Sequence, residues 1–152
     1  MPEYLEKMID KFTFRVATDR YYTSEGAWAF WMQPQADRRI RVGLTDYLQQ
    51  HSGDTAFVSV KPVGTVVAAG DEFAEMETIK VTFGLPSPVS GKVIEVNHGL
   101  DLHPEKVNED PYGEGWLAVI EAANWEAECA GLLEPQSYFE VMQAQAQREL
   151  EQ

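Results

Sequence analysis

Cysteine is nearly absent from this sequence, which has Cys129 alone among 152 residues. A single thiol cannot form an internal disulfide, and it excludes paired-cysteine redox and zinc motifs. The lack of disulfides is typical of a reducing compartment, so we expect a cytoplasmic protein. Trp125 and Leu132 flank Cys129, which we interpret as a small buried residue and not as a reactive thiol.

Basic residues are also scarce: 12 Lys and Arg stand against 25 Asp and Glu, for a net charge of −13. Such a surface repels nucleic-acid phosphates and anionic membranes, so we expect neither as a partner. An acidic surface is instead attracted to basic patches on other proteins. The charge therefore indicates protein partners.

Long apolar runs are missing as well. No segment approaches the roughly 20 apolar residues that a membrane-spanning helix requires. The first ten residues include Glu3, Glu6 and Asp10 and contain no apolar stretch, which argues against a signal peptide. We expect a soluble protein with a single domain over residues 1–152.

The three histidines lack the spacing of known metal-binding motifs. His98 and His103 have Asp101 and Glu105 nearby, and these four side chains are of the types that bind metal ions. This pattern is more typical of a polar loop. We therefore expect no metal site and no catalytic residues.

Most of the chain alternates between apolar and polar residues in short segments separated by Gly, Pro and Asp. This period-two pattern predicts strands. The predicted strands are 11–17, 27–32, 39–43, 55–60, 64–68, 72–81, 91–96 and 116–121. Many short strands at such spacing favour a sandwich or a barrel.

The C-terminal segment has a helical pattern. We place a helix over residues 135–152, because Pro135 suits the first helical turn and neither Gly nor Pro occurs from residue 137 onward. Tyr138, Val141 and Met142 are predicted to lie on the sheet.

One internal similarity occurs, between residues 62–67 (PVGTVV) and 88–93 (PVSGKV). It is consistent with two ordinary hairpin starts, or with a duplicated half-domain whose strands pair about a pseudo-twofold axis. Lys80 lies between the two segments, 16 residues after Gly64 and 11 before Gly91. We expect the two glycines to support strand turns that need a positive φ or a close backbone approach.

The residues around Lys80 resemble the lipoylation site of glycine cleavage system H proteins. The resemblance is carried by residues 77–80 (ETIK) followed by 87–91 (SPVSG), and by the blocks 42–47 (VGLTDY) and 107–117 (VNEDPYGEGWL) in the same order. It implies a mainly β barrel-sandwich hybrid of two antiparallel sheets, with short helices and a C-terminal helix. Residues 1–20 precede the shared blocks as an N-terminal extension.

The resemblance also implies a function. Lipoate would be attached by an amide to Lys80 at a hairpin apex, loaded by a lipoate-protein ligase, and the protein would be a monomeric carrier with a swinging arm and not an enzyme. The two sulfurs of such an arm exchange between disulfide and dithiol. Glu77 is a candidate for recognition by the ligase, although we slightly favour the interpretation that it lies on a solvated strand face. Biotin fits less well, because Ile79 and Val81 stand where biotinyl sites have methionines.

Two departures from H proteins bear on the pathway. Gly26-Ala27 stand where His-Glu is expected, and Val81-Thr82-Phe83 replace small residues after the lysine. Residues 78–85 (TIKVTFGL) and 11–16 (KFTFRV) instead resemble the lipoate-binding proteins of bacterial sulfur oxidation.

These resemblances leave three readings open. The second resemblance implies a heterodisulfide-reductase-like complex and a lipoamide dehydrogenase as partners, and we expect this sulfur-oxidation role first. The alternative is the H protein of glycine cleavage, which carries an aminomethyl group between the P, T and L proteins. An interaction module that has lost its modification is the third possibility.

Overall fold

The computed structural model describes residues 2–151, so Met1 and Gln152, the ends of the predicted single domain, lie outside the described residues. The prediction of a mainly β fold with antiparallel sheets, short helices and a C-terminal helix is confirmed. The strands within the described range are β1 Tyr4–Ile9, β2 Phe12–Ala17, β3 Tyr21–Tyr22, β4 Ala27–Trp31, β5 Arg39–Leu44, β6 Thr55–Val60, β7 Val66–Val67, β8 Glu72–Thr78, β9 Thr82–Pro86, β10 Gly91–Val96 and β11 Ala118–Ala122.

Two sheets enclose the main core. The larger sheet has the strand order β3-β4-β5-β11-β10-β7, and the smaller has the order β6-β8-β9. Every pairing is antiparallel. Alternate side chains point inward from both sheets, as in Val42 of β5, Met76 of β8 and Ile120 of β11, which are fully buried. Burial of these apolar side chains holds the two sheets together.

The segment predicted as one strand over 72–81 is two strands joined by a turn. β8 ends at Thr78, and β9 begins at Thr82. The prediction was wrong here because the β-branched residues Ile79 and Val81 continue the strand-like composition through the turn.

A third sheet, the hairpin of β1 and β2, was not expected as such. The turn has Asp10 at a φ of +57°, and Ile9 pairs with Phe12. β1 was missed because most of its side chains are exposed and show no regular alternation. Its buried residue, Ile9, belongs to a second apolar cluster with Phe14 and Val16 of β2.

Five short or medium helices complete the described range. They are α1 Asp46–Ser52, α2 Gly99–Leu102, α3 Lys106–Glu109, α4 Trp125–Cys129 and α5 Pro135–Leu150. Thr45 caps α1 by accepting the Leu48 N–H at 3.2 Å, and Gly53 ends that helix at a φ of +90°. None of the helices in residues 2–151 has both the length and the apolar character of a membrane span.

α5 packs against the second cluster, which joins the β1–β2 hairpin to the β3 edge of the larger sheet. Tyr138 stacks on Tyr22 with ring centroids 4.6 Å apart, and Met142 is fully buried beside it. Val141, predicted to face the sheet, is only half-buried, whereas Ala146 is buried. The reason is that Tyr138, Met142 and Ala146 follow the four-residue spacing of a single helix face.

The two similar segments pair with each other. Lys92 of β10 pairs with Val66 of β7, and the Gly64 N–H donates to the Val93 carbonyl at 2.8 Å. This is the pairing that the half-domain hypothesis predicts, while a common ancestry of the segments stays a hypothesis.

Candidate functional site

Lys80 lies in the tight turn that joins β8 to β9. The Thr78 N–H donates to the Val81 carbonyl at 2.9 Å, which closes the four-residue turn. Lys80 is exposed, and so is Ile79 beside it. The turn therefore presents the lysine side chain at the tip of the smaller sheet.

The Thr78 side chain stabilises this turn through hydrogen bonds. Its hydroxyl lies 2.7 Å from the Ser52 carbonyl, to which it donates, and it accepts the N–H groups of Lys80 at 3.2 Å and Val81 at 3.0 Å. The Ile79 N–H donates to the Asp54 carbonyl at 3.0 Å. The Lys80 turn is thus tied to the segment that follows α1.

Among the described residues the Lys80 amine makes one hydrogen bond, in which Nζ donates to the His51 carbonyl at 3.0 Å. That carbonyl belongs to the last turn of α1, where the unpaired carbonyls carry partial negative charge. Within residues 2–151 no carboxylate forms an ion pair with Lys80. Acylation would remove the charge without leaving an unpaired carboxylate, and the resulting amide keeps one N–H for the same carbonyl.

A cleft of about 190 Å³ opens beside Lys80. Its walls come from β2, from α1 and from the end of α5. The lining residues besides Lys80 are Phe12, Phe14, Tyr47, Gln50, His51 and Glu149. A second cleft of about 340 Å³ shares Tyr47, His51 and Glu149 with it and extends to Ser24 and Arg148.

A polar cluster separates the two clefts. The Tyr47 hydroxyl donates to the Glu149 carboxylate, and His51 Nδ1 lies 2.9 Å from Glu149 Oε1. The Tyr47 and His51 rings stack at 5.9 Å. Burial and the Glu149 carboxylate raise the pKa of Tyr47 above its ordinary value, so this hydroxyl keeps its proton and remains a donor. The cluster joins the end of α5 to α1.

Gly91 begins β10 of the larger sheet and Gly64 lies in the turn before β7, whereas Lys80 lies in the turn between β8 and β9 of the smaller sheet. Gly64 has a φ of +97°, and apart from its chain neighbours none of residues 2–151 has an atom within 4 Å of the place that a Cβ would take there. A Cβ at Gly91 would lie 2.1 Å from the Glu121 carbonyl oxygen. The two predicted reasons for glycine, positive φ and close approach, thus each apply once, but to the β7–β10 region and not to the Lys80 turn itself.

The outer face of the smaller sheet carries exposed acidic side chains. Glu75 and Glu77 are exposed on β8, and Glu77 pairs with Phe57 on one side and Thr82 on the other. Phe57 is 68% exposed. The surface beside Lys80 therefore combines negative charge with an apolar ring.

The remaining polar candidates form local contacts only. His98 Nδ1 lies 3.4 Å from Asp101, and His103 Nδ1 lies 3.0 Å from Glu105. Residues 2–151 contain no group of three or more His, Cys, Asp or Glu side chains placed to hold a metal ion. Cys129, expected to be buried, is half-buried against the main core.

Thr78 is the residue that the sequence left without a role, although it stands in the 77–80 frame. One sequence feature could have identified it: Thr78 is a hydroxyl residue two positions before Lys80, between two strand-like segments. The contribution of His51 and Glu149 had no signal at all, because they meet Lys80 only through α1 and α5.

Replacing Thr78 by valine is expected to loosen the turn. The substitution keeps the shape but leaves the Ser52 carbonyl and two N–H groups without their partner, at a cost of about 1–3 kcal/mol. We expect faster amide hydrogen exchange at Lys80 and Val81 than in the unaltered chain. Thr82→Val, an exposed change in β9, is the matched control, and equal exchange in both variants would contradict the role of the Thr78 hydroxyl.

The family model, the sequence relatives and the solved structure to which this chain is similar all belong to the same family. The family model described as glycine cleavage H-protein matches residues 20–145. A probable glycine cleavage system H protein of Pyrococcus horikoshii is 42% identical over 135 residues, covering 89% of this chain and 98% of that protein. The glycine cleavage system H protein of Mycolicibacterium smegmatis is 43% identical over 129 residues, covering 84% and 96%. The crystal structure of a glycine cleavage system H protein from Mycobacterium marinum superposes with a TM-score of 0.70 at 31% identity, covering 81% of this chain and 95% of that one.

Proposed function

The chain belongs to the glycine cleavage H-protein family, and from this premise we propose that Lys80 is its lipoylated residue. Members of the family carry lipoate covalently on a lysine and are carriers, not catalytic enzymes. Three features support Lys80: it is exposed at the tip of a turn, its amine has one carbonyl partner, and an amide retains that hydrogen bond. When attached, the group supplies a disulfide that accepts electrons and holds a substrate fragment on one sulfur.

For the pathway, we propose that the chain carries the aminomethyl group in glycine cleavage, with the P, T and L proteins as partners. The observation that carries this proposal is the family match over residues 20–145, together with relatives above 40% identity that bear the name glycine cleavage system H protein. The sulfur-oxidation role, which the sequence led us to expect first, finds no support in these relatives. It becomes the second candidate and rests on the bulky residues 81–83 and the 78–85 resemblance.

The decisive experiment offers the lipoylated chain to a glycine decarboxylase as aminomethyl acceptor. We expect glycine-dependent release of carbon dioxide and a mass increase on the chain, at a rate within about tenfold of an authentic H protein, a span of roughly 1.4 kcal/mol in the transition state. The unmodified chain is the control and should accept nothing. A fully lipoylated chain that is not turned over would reject the glycine-cleavage role, and turnover with a heterodisulfide-reductase-like complex would then support the second candidate.

Glu77 and Glu75 support a further part of the proposal, recognition by the lipoate-protein ligase. Both are exposed on the β8 face that leads to Lys80, where their charge attracts a basic surface. A lipoamide dehydrogenase fits either pathway. The cytoplasmic location and the monomeric state stay predictions.

A further inference from the structure

The hairpin of β1 and β2 lies before the matched family region, which begins at residue 20. It is nevertheless firmly attached to the body of the protein. The Arg15 N–H donates to Asp46 Oδ2 at 2.9 Å, and Gln50 Nε2 donates to the Thr13 carbonyl at 2.9 Å. Both partners are on α1, the helix whose last turn receives the Lys80 amine. The hairpin is therefore held in a fixed position relative to Lys80.

Two phenylalanines of β2 have different surroundings. Phe14 is 7% exposed and packs edge-on against Tyr47 with ring centroids 5.5 Å apart. Phe12 is 53% exposed, yet it lines the same cleft as Lys80. Phe14 therefore anchors the hairpin, while Phe12 presents an aromatic surface to the cleft.

We propose that Phe12 is a positioning residue against which the dithiolane ring of the lipoyl group on Lys80 rests. The proposal builds on the attachment of lipoate to Lys80. It gives the N-terminal hairpin, which lies outside the matched family region, a role in holding the arm.

The occupant of the cleft is argued from its tether. Lys80 is itself part of the lining, so a group attached to its Nζ is present at a high effective concentration and needs only a weak contact to stay. The dithiolane ring is apolar and contains two sulfurs, and sulfur makes favourable contacts with aromatic rings. Phe12 is the most exposed of the phenylalanine and tyrosine side chains in this lining.

The strength of the contact suits a carrier. One ring contact retains the arm for part of the time and still allows it to leave for a partner enzyme. Lys80 and Phe12 are both exposed at this cleft, so the arm is not enclosed. Phe12 thus biases the position of the arm without locking it.

The test measures how fast dithiothreitol reduces the lipoyl disulfide of the intact protein, followed by mass spectrometry after quenching. Replacing a phenylalanine leaves the net charge of −13 unchanged, so the variants repel the attacking thiolate equally. We expect Phe12→Ala to be reduced about three- to tenfold faster, the range that one sulfur–aromatic contact and the apolar face of one ring supply. The reduction rate of Phe12→Leu should fall between those of the unaltered protein and Phe12→Ala. Val66→Ala removes an exposed apolar side chain from β7, in the larger sheet, and should leave the rate unchanged.

A second readout is independent of reduction. In nuclear magnetic resonance spectra, lipoylation should shift the ring signals of Phe12. It should also produce nuclear Overhauser contacts between the ring protons and the protons of the arm. The Phe12 side chain is half exposed, and we expect unchanged circular dichroism in all three variants.

The possible outcomes distinguish the resting contact at Phe12 from the attachment of lipoate to Lys80. A chain without the lipoyl mass overturns the attachment and the resting contact together. A fully lipoylated chain whose Phe12→Ala variant is reduced at the rate of the unaltered protein, with no contacts to the Phe12 ring, overturns the resting contact alone.

Discussion

Lys80→Arg is expected to abolish lipoylation completely. Arginine keeps the positive charge and can donate to the same His51 carbonyl, but its guanidinium is not an acceptor for acylation. The variant, made in a host supplied with lipoate, should show only the unmodified mass. Lys92→Arg, an exposed change in β10, is the matched control and should carry the full lipoyl mass.

The functional loss should be as complete as the chemical one. Lys80→Arg should accept no aminomethyl group from glycine decarboxylase, because the arm is missing. Its free energy of unfolding should stay within about 0.5 kcal/mol of the unaltered protein, as for other exposed substitutions. A lipoyl mass in this variant would show that another lysine carries the group and would reject Lys80.

Gly91→Ala is expected to produce the largest loss of stability. The new Cβ would lie 2.1 Å from the Glu121 carbonyl oxygen, which is part of the backbone of β11. The clash cannot be relieved by rotating a side chain, so β10 and β11 must separate locally at the edge of the main core. Overpacking of this kind typically costs about 1–3 kcal/mol, and we expect the upper end or more here because backbone must move.

Gly64→Ala provides the comparison. Gly64 has a φ of +97°, but in the described part of the chain no residue other than its two neighbours has an atom within 4 Å of the added carbon. Only the backbone strain of a non-glycine residue in this region remains, about 1–2 kcal/mol. Urea unfolding of both variants measures the difference. Equal losses at the two glycines would show that the contact with Glu121 is relieved and that backbone conformation alone sets the cost.

The family resemblance anticipated the architecture, and alternation located most of the strands. Segments such as 55–60 and 91–96 coincide with β6 and β10, because a strand with one buried face carries the period-two pattern in its own residues. β1 has no such pattern, since five of its six side chains are exposed or half-buried. Its existence depends on pairing with β2 and on packing against α5, and neither is visible in the residues of β1.

In the candidate site, too, the sequence identified some features, while others depend on packing. Lys80 was found through the spacing and motif of the family resemblance. The Thr78 hydroxyl network and the Asp54 contact were not, because both depend on where α1 ends relative to β8. The relatives support the glycine-cleavage alternative better than the sulfur-oxidation role that we expected first: residues 81–83 suggested one subgroup, while residues 20–145 match the H-protein family.

By itself, then, the sequence determined the β-rich architecture, the start of α5 at Pro135, the acidic surface, and the place of Lys80 between two similar glycine-containing segments. These features follow from local backbone preference, periodicity and charge, each of which is contained in a short stretch of chain. Only the tertiary structure decided that Phe12, His51 and Glu149 meet at Lys80. The physical reason is that their contact requires a hairpin, a short helix and the C-terminal helix to pack together, and that packing is selected by the burial of both apolar clusters at once.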